Sequence, residues 1–265
     1  MTNFSKQDKV ESWMFRVPYE QFALLLTLII ILGASFLFYT FNIYLFILLA
    51  IGVIIYVRLQ QAQYLGNAVR VHKNQYPDIY NSFRAYAEKL EIPNASLYVI
   101  QDPYLQAFAL GITSCTVVLT SALVEQLSQK ELDFVIGHEL GHYKAGHTKL
   151  STIFVPIGNN NILSGLMFGF WNRKTEYSCD GCGLILTKDI DNAISALIKL
   201  AVGREMFNKL NLEGYVAQIK TAQRRSVKFS ELLGDHPLIT NRIKHLMLFW
   251  KESFSARSPT AGETQ

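Results

Sequence analysis

The sequence predicts a mainly helical α+β domain with a small sheet, preceded by a two-helix transmembrane hairpin. Three observations predict it. The stretch from Gln21 to Val57 contains no charged residue, the chain beyond it alternates helix-period runs with short strand-like runs, and a pentad of the HExxH type, His138 to His142, falls inside one of the helical runs. Residues 59–250 are enough for one core of ordinary domain size, and no internal repeat is present.

The N-terminal segment, 1–18, carries Lys6, Lys9 and Arg16. A membrane span takes roughly 20 apolar residues, within a range of about 17 to 25, so the charge-free run is too long for one span. Two spans fit it, at about Tyr19 to Tyr39 and Asn42 to Arg58, with the turn near Tyr39 to Asn42; the hairpin occupies 19–58. A signal peptide is the competing reading, but the run is too long and lacks a small-residue cleavage pattern. Basic residues flank the hairpin on both sides, Arg58, Arg70 and Lys73 following it, while the turn has none. The positive-inside rule therefore puts both ends, and the domain after them, in the cytoplasm.

Within 59–250, Pro77 to Leu90 has helical periodicity in Ile79, Tyr80, Phe83 and Tyr86. Leu97 to Ile100, Leu105 to Leu110 and Thr116 to Leu119 read as short strands, with Gly111 to Ser114 as a turn. Ala122 to Gln126, Asp191 to Val202 and Asn241 to Trp250 read as helices, the second opened by Asp191. Leu150 to Asn172 is long enough for a third span, yet Pro156, Gly158 and Asn159 to Asn161 would put a helix breaker and amides at mid-membrane. A helix-loop-helix cover that touches the bilayer or shields a cleft is expected there. Residues 251–265 are expected to form a disordered tail. The net charge of +4 suits a surface facing anionic lipid headgroups, and Arg224 with Arg225 is too short a basic run to suggest nucleic acid.

The pentad narrows the chemistry most. Ser128 and Glu131 have capping-box spacing, Leu132, Val135 and Ile136 supply an apolar stripe, and the helix is expected to end near Gly146. Residues four apart share a helical face, so His138 and His142 can reach one metal while Glu139 leans over the open coordination position. A catalytic zinc takes three protein ligands, and Glu176 is the best downstream candidate. Asp180, four residues later on the same face, is suited to accept the free ring N–H of a ligand histidine. Cys179 and Cys182 form a CxxC beside Glu176, and with the donors already supplied they read as reduced, half-buried side chains rather than a redox pair or extra ligands. His147 falls off the ligand face by more than a third of a turn and reads as a helix-terminal cation. His72 and His245 read as surface or packing residues.

The HELGH pentad, the ExxxD element from Glu176 to Asp180, and the later Asp235, His236, Pro237 and Arg242 together resemble the membrane-associated gluzincin zinc metallopeptidases of the HtpX and type 1 CAAX prenyl protease family. The likeness runs from about Leu97 to Ile243. It implies a zincin-like metallopeptidase domain holding one Zn2+ per chain, with His138, His142 and Glu176 as ligands, Glu139 as general base and Asp180 behind a ligand. It further implies that His236 donates to the oxyanion and that Arg242 helps to hold the site; a solvated helix charge is the other reading of Arg242. Two departures stand out: Gly181 replaces the arginine usual after the ExxxD aspartate, and Gln106, Ala107, Phe108, Ala109 replace an Asn-Ala-Phe-Ala edge strand on which an extended polypeptide would lie.

These readings combine into a membrane-anchored zinc endopeptidase acting on membrane or membrane-proximal proteins, in a quality-control role. The alternatives are a zinc-stabilised membrane scaffold without turnover and a prenyl-protein protease, the latter normally needing an intramembrane chamber that two spans cannot enclose.

Overall fold

The charge-free stretch folds as two helices broken at one residue, in a computed structural model that describes residues 9–149, 162–211, 214–215 and 237–254. Helix α1 is Glu20–Phe41 and α2 is Ile43–Gly66. Asn42 makes the break, its Oδ1 accepting from the backbone N–H of Tyr44 at 3.0 Å and of Leu45 at 3.1 Å, which caps α2. One helix among the described residues is long and apolar enough to cross a membrane, α1 over Glu20–Leu37; the apolar part of α2, Ile43–Tyr56, is shorter. The break falls within the expected turn. By length and composition, the first of the two expected spans is found among the described residues.

The fully buried side chains of α1 lie in its first turns. Ala23 and Thr27 are buried, Ala23 beside Trp171, whereas Phe22, Leu25, Ile29, Leu32 and Phe36 are exposed.

A four-stranded mixed sheet follows, with β1 at Val69–Arg70, β2 at Ala95–Ile100, β3 at Ala107–Leu110 and β4 at Cys115–Thr120, in the order β1-β2-β4-β3. β2 runs parallel to β4, Leu97 opposite Val117, and β3 pairs antiparallel to β4, Ala107 opposite Leu119. Among the described residues β3 is therefore an edge strand. β1 was not expected from sequence, because two residues carry no alternation; it is held by pairing Val69 with Val99 on β2.

The remaining helices are α3 (Pro77–Lys89), α4 (Ser121–Gln126), α5 (Gln129–Lys144), α6 (Ile162–Thr187), α7 (Ile190–Phe207) and α8 (Ile239–Ser253). α5 carries the pentad and lies at the centre, against α3, α6, α7 and the β3–β4 side of the sheet. Its start is fixed by the capping box: Ser128 Oγ accepts from Glu131 N–H, and the Glu131 carboxylate accepts from Ser128 N–H at 2.7 Å. Phe83, Leu97, Leu119, Leu123, Phe134, Ile136, Leu140, Leu184 and Leu197 form the shared core.

Two expectations change here. α7 is capped by Asp189, whose carboxylate accepts from Asn192 N–H at 3.1 Å; Asp191, expected to open the helix, lies inside its first turn. Of the expected cover over Leu150 to Asn172, residues 150–161, which include Pro156, Gly158 and the Asn159 to Asn161 run, lie outside the described residues. From Ile162 onward the chain is one continuous helix that runs through Glu176 and Asp180. Residues 255–265 also lie outside the described part.

Candidate metal centre

The site forms where α5 and α6 approach closely. A Cβ on Gly141 would lie 2.8 Å from Cys182 Cβ, and one on Gly183 would lie 2.8 Å from the Phe134 carbonyl oxygen, so glycine at both positions is what lets the two backbones meet. His138 and His142 then project from α5 toward Glu176 on α6. His138 Nε2 is 3.5 Å from Glu176 Oε2, His142 Nε2 is 3.5 Å from Glu176 Oε1, and the two Nε2 atoms are 3.2 Å apart.

Those separations can be compared with what an ion requires. Donors about 2.0–2.1 Å from a tetrahedral zinc lie about 3.3 Å from one another. The separations here, each histidine taken to the Glu176 oxygen it faces, lie close to that figure. Two ring nitrogens and a carboxylate aimed at one point also repel each other unless a cation lies between them, so the donor set fits zinc in number, type and spacing.

Asp180, fully buried, stands behind His138 with Oδ1 3.0 Å from Nδ1. A ring N–H donated there leaves the His138 Nε2 lone pair facing Glu176. Arg242, on α8, closes the far side: its Nε donates to Asp180 Oδ2 at 2.9 Å, its Nη2 to Asp180 Oδ1 at 2.6 Å, and its Nη1 lies 3.0 Å from Glu176 Oε2. Burial alone would raise the Asp180 carboxyl, but the Arg242 guanidinium and the hydrogen bonds from it and His138 hold it below the usual carboxylate value. Glu176, Asp180 and Arg242 are all buried, so the reading of Arg242 as a solvated helix charge does not survive.

Glu139 is buried on α5 between the two histidines in sequence, 7% exposed. Gln106 precedes β3 and Ala107, Phe108 and Ala109 lie in it, on the edge strand that packs against α5. Asp235 and His236 lie outside the described residues. Gly181 faces away from this cluster, since a Cβ there would contact Phe15 and Phe249 at 3.4 and 3.5 Å. Cys179 and Cys182 are free thiols, fully rather than half buried, and burial pushes both well up, so neither ionises near neutral pH. Among the other histidines, His72 is exposed and His245 packs on Tyr177 with ring centroids 4.8 Å apart.

The sequence matches peptidase family M48 over residues 73–170 and 157–248, which together take in α5, α6 and Arg242. The chain belongs to this family. Among M48-like relatives it is 31% identical over 176 residues to the plastoglobule-localized metallopeptidase 48, chloroplastic, of Arabidopsis thaliana, covering 61% of this chain and 51% of that protein. It is 25% identical over 228 residues to the protease HtpX homologs of Streptococcus uberis and Streptococcus equi subsp. equi, covering 69% of this chain and 76% of theirs. The chain thus spans about half the length of the Arabidopsis relative and three quarters of the streptococcal ones.

One feature of this chain escaped the sequence reading. His147 is no helix-terminal cation: it is 5% exposed, and burial pushes its ring down to about 4, so it is neutral near pH 7. The helical arithmetic that set it aside ends with α5, because Gly146, at φ 84°, turns the chain and brings the His147 ring under His142, Nδ1 to Nδ1 at 3.3 Å. Its Nε2 lies 3.0 Å from Oε1 of Glu20, the first residue of α1. The only sequence signal was Glu20 itself, a carboxylate set at the edge of a charge-free run.

Proposed function

We propose that the chain is a membrane-anchored, zinc-dependent endopeptidase in which His138, His142 and Glu176 hold one Zn2+. The observation that carries this reading is the meeting of three donors of the right type at tetrahedral edge distances, with Glu139 one residue from the first of them. A zinc ion held there would lower the pKa of its bound water to about 7 and polarise a peptide carbonyl. Glu139 takes the proton from the attacking water and returns it to the leaving amine. Asp180 and Arg242 keep His138 and Glu176 in place throughout, and His236 donates to the developing oxyanion, a role supported by its motif.

The edge position of β3 supports Gln106 to Ala109 as the substrate strand, where an extended polypeptide adds through main-chain hydrogen bonds and little depends on its sequence. Exposed Leu25, Ile29, Leu32 and Phe36 on α1 support anchoring in a lipid bilayer, with α2 completing a hairpin, the catalytic domain on the cytoplasmic side, and membrane or membrane-proximal proteins as substrates in quality control.

The test compares the full chain with Glu139→Gln, both purified in detergent micelles and zinc-replete, on casein. Losing a general base typically costs about 10²–10⁴-fold in rate, so wild type should cleave and Glu139→Gln should fall by that order with its zinc retained. Equal cleavage by both would contradict the proposal. No cleavage by zinc-bound wild type would leave the zinc-stabilised scaffold as the better reading.

A further inference from the structure

The two proposed histidine ligands are backed by different groups. His138 has Asp180, whereas the Nδ1 of His142 faces a second imidazole. Burial makes that contact informative, since His147 and Glu20 are 5% and 3% exposed.

The tautomers follow from the contacts. Glu20 as a carboxylate can only accept, so His147 Nε2, 3.0 Å away, carries its proton. As a ligand through Nε2, which faces Glu176 and His138, His142 carries its proton on Nδ1 and donates it to His147 Nδ1, 3.3 Å away, so that His147 accepts at Nδ1 and donates from Nε2 to Glu20. This assignment satisfies both the Glu20–His147 and the His147–His142 contact. The Cys179 thiol, with Sγ 3.6 Å from His147 Nδ1, and the Trp171 ring, edge-on at 5.8 Å, pack the imidazole into place.

Glu20 is itself pinned. Its Oε2 accepts from the Ser178 hydroxyl on α6, which in turn accepts from Val17 N–H at 3.0 Å. Arg16 Nε lies 3.2 Å from Glu20 Oε1, and the Arg16 Nη2 donates to the carbonyl of Ala145, the C-cap of α5. The foot of α1 is therefore tied to both metal-facing helices.

We propose that His147 is a positioning residue for His142, oriented by Glu20 at the base of α1, so that the apolar helix is built into the metal centre. This rests on the reading of His138, His142 and Glu176 as ligands. It adds that His142 is held in tautomer and rotation from outside the catalytic motif, and that the anchor contributes to metal affinity as well as to location. The same three groups, His142, His147 and Cys179, have ligand atoms close enough to be shared by an ion, which makes a second metal the competing reading.

The experiment is zinc affinity by chelator competition on the full chain in micelles, with the visible spectrum of the cobalt(II)-substituted protein and the unfolding midpoint of the zinc-free protein alongside. His147→Phe should bind zinc about 10–100-fold more weakly, the usual cost of losing a group behind a ligand, and should alter the cobalt spectrum. Glu20→Ala should weaken zinc in the same direction, while Glu20→Gln, whose amide oxygen still accepts from His147, should restore most of the affinity. A His147→Phe protein with an unchanged unfolding midpoint and wild-type affinity would overturn the proposal. Should that variant fail to fold, equal affinities for wild type, Glu20→Ala and Glu20→Gln would overturn it. A second zinc per chain, lost in Cys179→Ser, would also overturn it, by making His147 a ligand. Absence of zinc binding by wild type would bring down the metallopeptidase reading first, and this one with it.

Discussion

Asp180 shows how much a single buried charge depends on its neighbours. It has no exposure to water, and it remains ionised because Arg242 forks onto both its oxygens while also reaching Glu176. Removing one partner of a buried pair typically costs about 3–5 kcal/mol, because the other charge is left uncompensated. Arg242→Leu should therefore lose stability of that order in denaturant unfolding of the zinc-free chain, and Arg242→Lys should recover little, since an ammonium cannot fork. A carboxyl with a lower pKa folded than unfolded contributes stability that is full above its unfolded value, about 3.9, and is lost as pH falls through the folded one. Acid unfolding should accordingly begin at higher pH in Arg242→Leu than in wild type. At this scale the sequence was legible wherever contacts were local: the i, i+4 spacing within α5 and within α6 is set by helix geometry and needs no knowledge of the fold. Arg242 was ambiguous because Asp180 lies 62 residues away, and His147 was misread because its contact needs the Gly146 turn and a carboxylate 127 residues earlier.

Among the elements, the α5–α6 pair decides whether the donors meet. Glycine to alanine inside a helix ordinarily gains about 1 kcal/mol, but forcing a methyl group into a filled interface costs about 1–3 kcal/mol. The clash at Gly183 is with a backbone carbonyl oxygen, at 2.8 Å, which cannot rotate away. The cost should win there: Gly183→Ala is expected to unfold more easily by about 1 kcal/mol or more, with looser zinc binding, whereas Gly33→Ala, with open space around it, should be no less stable than wild type. Element type was readable from periodicity for α3, α5 and the three longer strands, and the capping box marked the start of α5. Asp189 was passed over for Asp191 because two aspartates flank Ile190 and only the fold shows which one faces Asn192 N–H. The two-residue β1 left no pattern to read, since its pairing partner supplies all its order.

Taken whole, the molecule joins an apolar helix to a peptidase-family domain through one buried polar junction. The exposed apolar residues of α1 stand beyond that junction, and the polar contacts of Glu20, Arg16 and Ser178 lie within it. The helical class, the small sheet and the apolar N-terminal region were visible in composition and periodicity alone, because burial leaves its mark on every turn and strand. The joining of α1 to the cluster of His138, His142 and Glu176 was not visible, because it depends on three segments far apart in the chain. What the account turns on is a single ion among His138, His142 and Glu176, and zinc K-edge X-ray absorption of the purified full chain examines that ion directly. The predicted result is one zinc per chain with a shell of nitrogen and oxygen at about 2.0–2.1 Å, including two imidazoles, and its loss in Glu176→Ala. A wild-type protein that retains no zinc, or a shell containing sulfur at about 2.3 Å, would contradict it.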